Sequence, residues 1–391
     1  MNSLTKQLWL LGSMRFIRMF LISMPIIVIY WQSHGLSVQD IFILQVIFSI
    51  AVILMELPSG YLADRFGNKN IIVLGAVTGV LGYILYWLVP TYAGFVAAEL
   101  VLALSVSLMS GSRDALLYDT LEAHNVTDDY TKYQGQFNAW GQVSEAIAAL
   151  SAGIIASLVS LSAVLAIQSI VLLLAVPVAL LLQAHHGMAR KTDSLITIVH
   201  YCFHGNRRLL WLNLMTGTVS ASTLTMVWFV QPHWQSIGVN LLYFGFLWAG
   251  LNFVVAAGSL LAARIQRTVR FRVLFAVMIT APIWLYGGMA LLANSLAAVA
   301  FVSLFWFLRG VSMPIVSDYV QRECTKGNRA TVLSANALTG RVVFSIVSPF
   351  LGWVTDVWSF QTAFAAASIV FGVIALIGYM NWLIAVRTQK T

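Results

Sequence analysis

The stretch Gly60-Tyr61-Leu62-Ala63-Asp64-Arg65-Phe66-Gly67-Asn68-Lys69 is a short polar segment between two long apolar runs. Gly60 and Gly67 stand where we expect the backbone to turn tightly or to let another backbone approach. An acid, Asp64, and two bases, Arg65 and Lys69, lie between and after them. The stretch therefore predicts a polar hairpin that joins two apolar segments.

The composition of the chain excludes an ordinary soluble domain. Of its 391 residues, 60% are hydrophobic and 9% are charged, whereas soluble proteins carry roughly a quarter charged residues. Of the 22 Lys and Arg residues, 17 fall in alternate connections between apolar runs. This bias reports membrane topology, so the formal charge of +8 does not indicate a nucleic-acid partner. The other five lie inside apolar runs: Arg15, Arg18, Arg113, Arg309 and Arg341.

Apolar runs long enough to cross a bilayer, about 20 residues each, number twelve. The connections rich in Lys and Arg place both chain termini in the cytoplasm. The longest inner connection, 185–208, divides the spans into two groups of six, in residues 1–184 and 209–391. The predicted spans are 9–31, 39–59, 70–89, 94–117, 137–159, 163–184, 209–231, 239–262, 273–293, 297–319, 331–353 and 361–385.

The inner connection 185–208 contains an amphipathic stretch, 194–204, that we expect to lie along the membrane surface. His200 and His204 flank Cys202 there, but no further ligands have matching spacing, so we predict no metal site. Cys202 and Cys324 both fall in inward-facing connections, which indicates reduced thiols.

The opening stretch resembles the signature loop of the major facilitator superfamily, G-x-L-x-D-R-x-G-R-K, which joins the second and third membrane helices. It differs where Asn68 replaces a base. The segments Arg309–Pro314 and Arg329–Ser334 resemble the C-terminal half of the drug:proton antiporter-type members. In those members the fifth span usually contains a Gly-Pro motif, and this chain lacks that proline. The resemblance implies an all-α membrane protein, with twelve helices in two pseudo-symmetric six-helix bundles.

The resemblance also implies a gating role for the opening stretch. Asp64 is expected near the start of span eleven, about Thr331–Ser334, where a helix N-terminus favours an anion. Asp119 matches the acid that completes the relay, and Arg65 or Lys69 would replace the missing base. The alternative is that these charges only mark the membrane edge. The full gating set is Gly60, Asp64, Arg65, Gly67, Lys69 and Asp119.

The two halves also correspond to each other at an offset of 199 residues. Gly111 corresponds to Gly310, Asp119 to Asp318, and Gly141 to Gly340. A weak internal repeat is typical of a transporter built from two bundles.

Charged residues inside the spans are costly and indicate function. Arg18, Arg309 and Arg341 are expected near mid-membrane, where guanidinium groups suit a carboxylate or a phosphate. Alternatively, an arginine pairs with Glu145 and another with backbone carbonyls. Glu145 is the candidate for proton coupling, with a structural salt bridge as the equal alternative. Glu99, near the outer end of span four, is a further candidate for a proton path, although an interfacial site is the simpler account.

Polar and aromatic residues add candidates for the translocation path: Trp228, Asn252 and Asn336, together with Ser220, Ser222, Thr223 and Thr225 in span seven. Ser and Thr also pack membrane helices together, and Trp228 also suits an aromatic belt at the membrane surface.

A secondary active transporter is the function that these features favour, with alternating access and proton-coupled efflux of a small molecule across the inner membrane. Uptake or export of an anionic metabolite or siderophore is the alternative that the arginines support. An embedded enzyme would depend on His185 and His186, which lack a matched acid, and a non-transporting receptor would leave the buried arginines unused. We expect a monomer without cofactor or metal, whose partners are its substrate, protons and the lipid bilayer.

Overall fold

A computed structural model describes residues 3–184, 207–322 and 329–388, in which every regular element is helical. Two 3-10 turns, Thr127–Asp129 and Leu241–Tyr243, accompany the α-helices. The helices are α1 Ser3–Met19, α2 Ile27–Ser33, α3 Val38–Phe66, α4 Asn68–Leu88, α5 Tyr92–Ala123, α6 Tyr130–Leu158, α7 Leu161–Leu173, α8 Ala175–Leu181, α9 Arg207–Ser236, α10 Phe244–Thr268, α11 Phe271–Leu292, α12 Ala297–Phe301, α13 Ser303–Arg322, α14 Arg329–Val357 and α15 Phe360–Thr388.

Ten segments of the described residues are long and apolar enough to cross a membrane, so the chain is a multi-pass membrane protein. Predicted span one coincides with α1 and α2, and predicted span seven with α9; these helices are not among the ten segments. The helix α1 has only 17 residues, and the Ser and Thr residues of α9 lower its mean hydropathy. The total of twelve spans stays a prediction. The ten segments are Val38–Glu56, Asn68–Leu88, Tyr92–Ala123, Thr127–Leu158, Leu161–Leu181, Leu241–Thr268, Val273–Leu292, Ala297–Tyr319, Ala335–Val357 and Phe360–Trp382.

The chain divides into two compact units. Unit 1 comprises Met1–Gly35, Leu44–Thr192 and Asn240–Ala249, and unit 2 comprises Leu36–Ile43, Asp193–Val239 and Gly250–Thr391. In unit 1, α4 packs along α5, and α1 packs on α6. In unit 2, α11 packs on α15, and α9 contacts both α14 and α15. Each unit buries its own cluster of Leu, Ile, Met and Phe side chains.

The opening stretch is mostly helical, so the expected hairpin with a turn at Gly60 is wrong. The helix α3 continues through Gly60 to Phe66, and only Gly67 turns, with a φ of 82°. The Gly67 N–H still donates to the Ala63 carbonyl at 2.9 Å, as at a helix C-terminus. Within this stretch, Gly67 is the residue whose positive φ favours glycine. The helix α4 begins at the next residue, Asn68.

Glycines also let helices of unit 2 cross closely. A Cβ at Gly310 on α13 would lie 2.3 Å from the Val255 carbonyl oxygen of α10. Its partner in the repeat, Gly111, has no neighbouring atom within 4 Å of the same position. The two glycines therefore occupy different packing environments, although the sequence places them in register.

Candidate functional site

The first predicted span, 9–31, is interrupted, which the sequence analysis did not anticipate. The helix α1 ends at Met19 and α2 begins at Ile27, with a turn between them. Pro25 lies in this turn, where it removes a backbone N–H donor and restricts the residue before it. Irregular backbone at membrane depth is tolerated only where buried groups satisfy it or where it lines a wet cavity.

Gln168 on α7 hydrogen-bonds two backbone groups of the interruption, one carbonyl and one N–H. Its Nε2 donates to the Phe20 carbonyl at 3.0 Å, and its Oε1 accepts from the Ser23 N–H at 3.3 Å. The Gln168 side chain is fully buried. Tyr83 on α4 also hydrogen-bonds the Ser23 side chain. The interruption is thus a built feature of unit 1, held by side chains of two other helices.

Arg18 lies one residue before the end of α1, at the edge of this interruption. Its Nη1 donates to the Ser105 hydroxyl at 2.7 Å and lies 2.8 Å from the Met109 sulfur. The Ser105 hydroxyl in turn donates to the Gly75 carbonyl of α4 at 2.6 Å. The expected mid-membrane arginine of span one is therefore anchored by neutral groups of α5.

Further charges gather around Arg18 within unit 1, and we call Arg15, Arg18, Arg113, Asp114 and Glu145 the unit 1 charge cluster. Arg113 forms an ion pair with its neighbour Asp114, with 2.9 Å between Nη2 and Oδ1. Arg15 is attracted to both Asp114 and Glu145 and repelled by Arg113. The cluster thus places three guanidinium groups beside two carboxylates on α1, α5 and α6.

The guanidinium group of Arg15 is only partly hydrogen-bonded within the described residues. Its Nη2 donates to Asn138 at 3.3 Å, while its Nε, which faces Gly141, has no hydrogen-bond partner among the residues that the structure describes. Glu145 is half-buried and accepts from Trp248 Nε1 at 3.4 Å. Its proximity to Arg15 corresponds to the salt-bridge alternative for Glu145, and its role in proton coupling stays a prediction.

The candidates of the second half belong to unit 2. Arg309 on α13 and Arg341 on α14 are half-buried, and both interact with other groups of the protein. Asn336 on α14 donates to Asn213 and Thr216 of α9. Trp228 is buried, and Asn252 is half-buried on α10. The four residues Ser222, Thr223, Thr225 and Ser348 each donate to a carbonyl of their own helix, so their polarity is satisfied locally.

The gating residues lie where α3, α4 and α5 approach each other. Asp64 and Arg65 are exposed, and Lys69 is half-buried on the first turn of α4. Asn68 itself donates to Asp119 Oδ2 at 3.3 Å, a partner that the sequence analysis had not considered. In unit 2, Gln266 likewise donates to Asp318 Oδ2 at 2.5 Å. Both acids of the repeat pair thus accept from an amide, although Asn68 corresponds to Arg267 at the offset of 199 residues and not to Gln266. The approach of Asp64 to Thr331–Ser334 stays a prediction.

Several predicted features lie outside the described residues. These are the amphipathic stretch 194–204 with His200, Cys202 and His204, the pair His185 and His186, and Cys324. Among the residues that the structure does describe, no group of three or more His, Cys, Asp or Glu side chains could hold a metal ion.

The features that sequence reasoning missed were the interruption, Gln168, the Arg113–Asp114 pair and the burial of Glu99. Pro25 and a lone glutamine inside an apolar run were the available signals for the first two.

The family model of the Major Facilitator Superfamily matches residues 8–349. The chain belongs to the Major Facilitator Superfamily. Among curated relatives of this superfamily, the chain is similar to the uncharacterized MFS-type transporter YxaM of Bacillus subtilis (strain 168). The two are 22% identical over 353 residues, which cover 84% of this chain and 85% of the relative.

Solved structures share the fold of this superfamily member. The nucleoside transporter NupG matches with a TM-score of 0.77 at 14% identity, over 98% of this chain and 99% of its own. A D-xylose-proton symporter matches with a TM-score of 0.74 at 13% identity, over 97% of both chains. A bacterial homolog of the human lysosomal transporter Spinster matches with a TM-score of 0.74 at 14% identity, over 97% of this chain and 96% of its own. This superfamily comprises transporters rather than a class of enzymes.

Proposed function

We propose that the protein is a proton-coupled exporter of small organic anions or zwitterions. It would act as a monomer in the cytoplasmic (inner) membrane by alternating access, with both termini in the cytoplasm. The observation that carries the proposal is the unit 1 charge cluster, which places three arginines beside two acids on membrane-spanning helices.

The charge of the cluster supports an anionic or zwitterionic substrate. Charged side chains at membrane depth are expensive, so they are kept where they pair or line a wet cavity. A guanidinium group binds a carboxylate or phosphate through two parallel N–H donors. Within the described part of the chain, the Arg15 Nε–H has no hydrogen-bond partner. Asp114 and Glu145, which both attract Arg15, would balance a substrate ammonium group. Arg309 and Arg341 would contribute equivalent recognition in unit 2.

Proton coupling and direction are the finer parts of the proposal. The fold that this chain shares with a D-xylose-proton symporter is compatible with proton-driven transport. The export direction is favoured by the resemblance of 309–334 to antiporter-type members. Trp228, Asn252 and Asn336 are proposed to line the path in unit 2.

The test is transport by purified protein in sealed liposomes with an imposed pH gradient. A thermal-shift panel of anionic, zwitterionic and cationic compounds first selects the probe. We expect anions or zwitterions to stabilise the protein, and the selected probe to move against the proton gradient. Stabilisation by lipophilic cations alone would contradict the substrate class, and transport without any dependence on the pH gradient would contradict proton coupling.

Arginine variants locate the recognition site. A charge-assisted hydrogen bond contributes about 1.5–3 kcal/mol, so Arg15→Gln should raise the Kd of the probe by about tenfold or more. Arg267→Gln is the matched control, because Arg267 is exposed on the last turn of α10. Equal effects of the two substitutions would contradict a specific role for the cluster.

We also propose that the gating set, in which Gly67 turns the chain between α3 and α4 and Gly60 lies within α3, controls closure on the cytoplasmic side. Asp64→Asn should leave the folded protein intact and reduce the transport rate strongly. Normal transport by a well-folded Asp64→Asn variant would contradict the gating role.

A further inference from the structure

Glu99 is a buried acid that the unit 1 charge cluster does not include. It lies on α5, seven residues after the helix begins at Tyr92. Only 4% of its surface is exposed, so the carboxyl group lies inside unit 1. A carboxyl group removed from water to this degree needs hydrogen-bond partners or a counter-charge.

The partners of Glu99 are neutral. Gln45 on α3 donates through Nε2 to Glu99 Oε1 at 2.7 Å, and Tyr86 on α4 hydrogen-bonds the same carboxyl group. Both side chains are buried as well. Three helices of unit 1 thus converge on this carboxyl with one amide and one phenol.

Charged groups on the surrounding helices are engaged elsewhere. Arg18 on α1 donates to Ser105 and contacts the Met109 sulfur. His34, which follows α2, lies 2.8 Å from the Tyr30 carbonyl oxygen through its Nδ1. In the part of the chain that the structure describes, no Arg, Lys or His forms an ion pair with Glu99. The titratable groups that face Glu99 from packed elements are therefore the phenols of Tyr83 and Tyr86.

This set of partners suits both protonation states of the carboxyl group. The ionised form accepts from Gln45 Nε2 and from the Tyr86 hydroxyl. The protonated form can donate to the Gln45 amide oxygen after the amide rotates, because a primary amide offers a donor and an acceptor at nearly identical positions. A permanent cation would instead hold the carboxyl ionised.

We propose that Glu99, with Gln45 and Tyr86, is the proton-binding site of the transporter. The proposal rests on the proposed proton coupling and assigns it to a residue other than Glu145. Glu145 instead lies half-buried beside Arg15 and Trp248, two side chains that can only donate to it. Glu99 takes up one proton from the acidic side and releases it when this carboxyl meets the less acidic side.

The test is infrared difference spectroscopy of the full-length protein in lipid nanodiscs during a pH titration, which needs no substrate. We expect a carbonyl stretch of a protonated carboxylic acid that changes with pH and disappears in Glu99→Gln. Glu145→Gln is the matched control and should retain the band. Gln45→Leu removes a donor to the ionised form, so it should move the midpoint of the band upward by about one pH unit or more.

The opposing outcomes are equally specific. A band that is unchanged in Glu99→Gln, that is lost in Glu145→Gln, or that does not titrate would overturn the assignment. Failure of the protein to transport any selected probe would contradict the proposed function and leave the infrared result intact. In the liposome assay, Glu99→Gln should exchange the selected probe at equal pH but lose accumulation driven by the pH gradient. Full retention of that accumulation would also overturn the assignment.

Discussion

Asp356, at the end of α14, accepts hydrogen bonds from the first turn of α3. Its two carboxylate oxygens accept from the backbone N–H groups of Val38, at 3.0 Å, and Gln39, at 2.8 Å. The first N–H groups of a helix have no partner within the helix, and its N-terminus attracts negative charge. We predict that Asp356→Ala loosens the first turn of α3 specifically.

The magnitude follows from two contributions. Loss of an N-terminal cap costs about 1 kcal/mol, and loss of a charge near the helix N-terminus costs about 0.3–1 kcal/mol. Asp356 is exposed, which places the second contribution at the low end of its range. Ser37 and Asp40 retain their own capping hydrogen bonds, at 3.1 Å and 3.0 Å, so the turn does not unravel completely. The expected total is about 1.4 kcal/mol, which is roughly a tenfold change in the opening equilibrium.

Amide hydrogen exchange measures this opening directly. We expect the amides of Val38 and Gln39 to exchange about tenfold faster in Asp356→Ala, by the conversion above. Asp356→Asn keeps an acceptor but removes the charge, so its effect should be smaller. Unchanged exchange at Val38 and Gln39 would refute the reasoning. Faster exchange throughout α3 and α14 would also refute it, because that result indicates a general loss of stability rather than the loss of one cap.

Three further predictions concern packing and polar pairing. Gly310→Leu should destabilise the protein by about 1–3 kcal/mol in thermal unfolding, because its side chain meets backbone of α10, whereas Gly111→Leu should have little effect. Asn68→Leu should slow transport in liposomes without changing thermal stability by more than about 1 kcal/mol, since it removes one hydrogen bond to Asp119; an unchanged rate would exclude Asn68 from gating. Gln168→Leu should lower thermal stability by about 2–4 kcal/mol, since two buried backbone groups each lose a partner.

The helical, membrane-spanning character of the chain could be predicted because hydropathy depends only on local sequence. The interruption after Met19 could not be predicted in this way, although Pro25 is a local signal for it. Proline in a membrane helix is tolerated when neighbouring groups satisfy the freed backbone. Here that neighbour is Gln168, 145 residues from Ser23 along the chain, and no local pattern connects the two.

The candidate site was predictable to a similar extent. The sequence identified the arginines within the spans, because charged residues are rare in membrane-spanning segments. It left Glu99 between a proton path and an interfacial site, because distance from a predicted span end is a poor measure of burial. The depth of that carboxyl is set by α3 and α4, which bring Gln45 and Tyr86 onto it. Chemistry-bearing residues could thus be identified from residue type, whereas their protonation partners depend on tertiary packing.

The two amide–carboxylate pairs show why the replacement of a base by Asn68 is a change of strength rather than a loss. Asn68 hydrogen-bonds Asp119 in unit 1, and Gln266 hydrogen-bonds Asp318 in unit 2. An amide keeps the geometry of the contact but supplies no charge of its own, and a neutral donor forms a weaker hydrogen bond to a carboxylate than a cation does. At the offset of 199 residues Asn68 corresponds to Arg267, a base, so the amide that contacts Asp318 stands at a different position of the repeat from the amide that contacts Asp119.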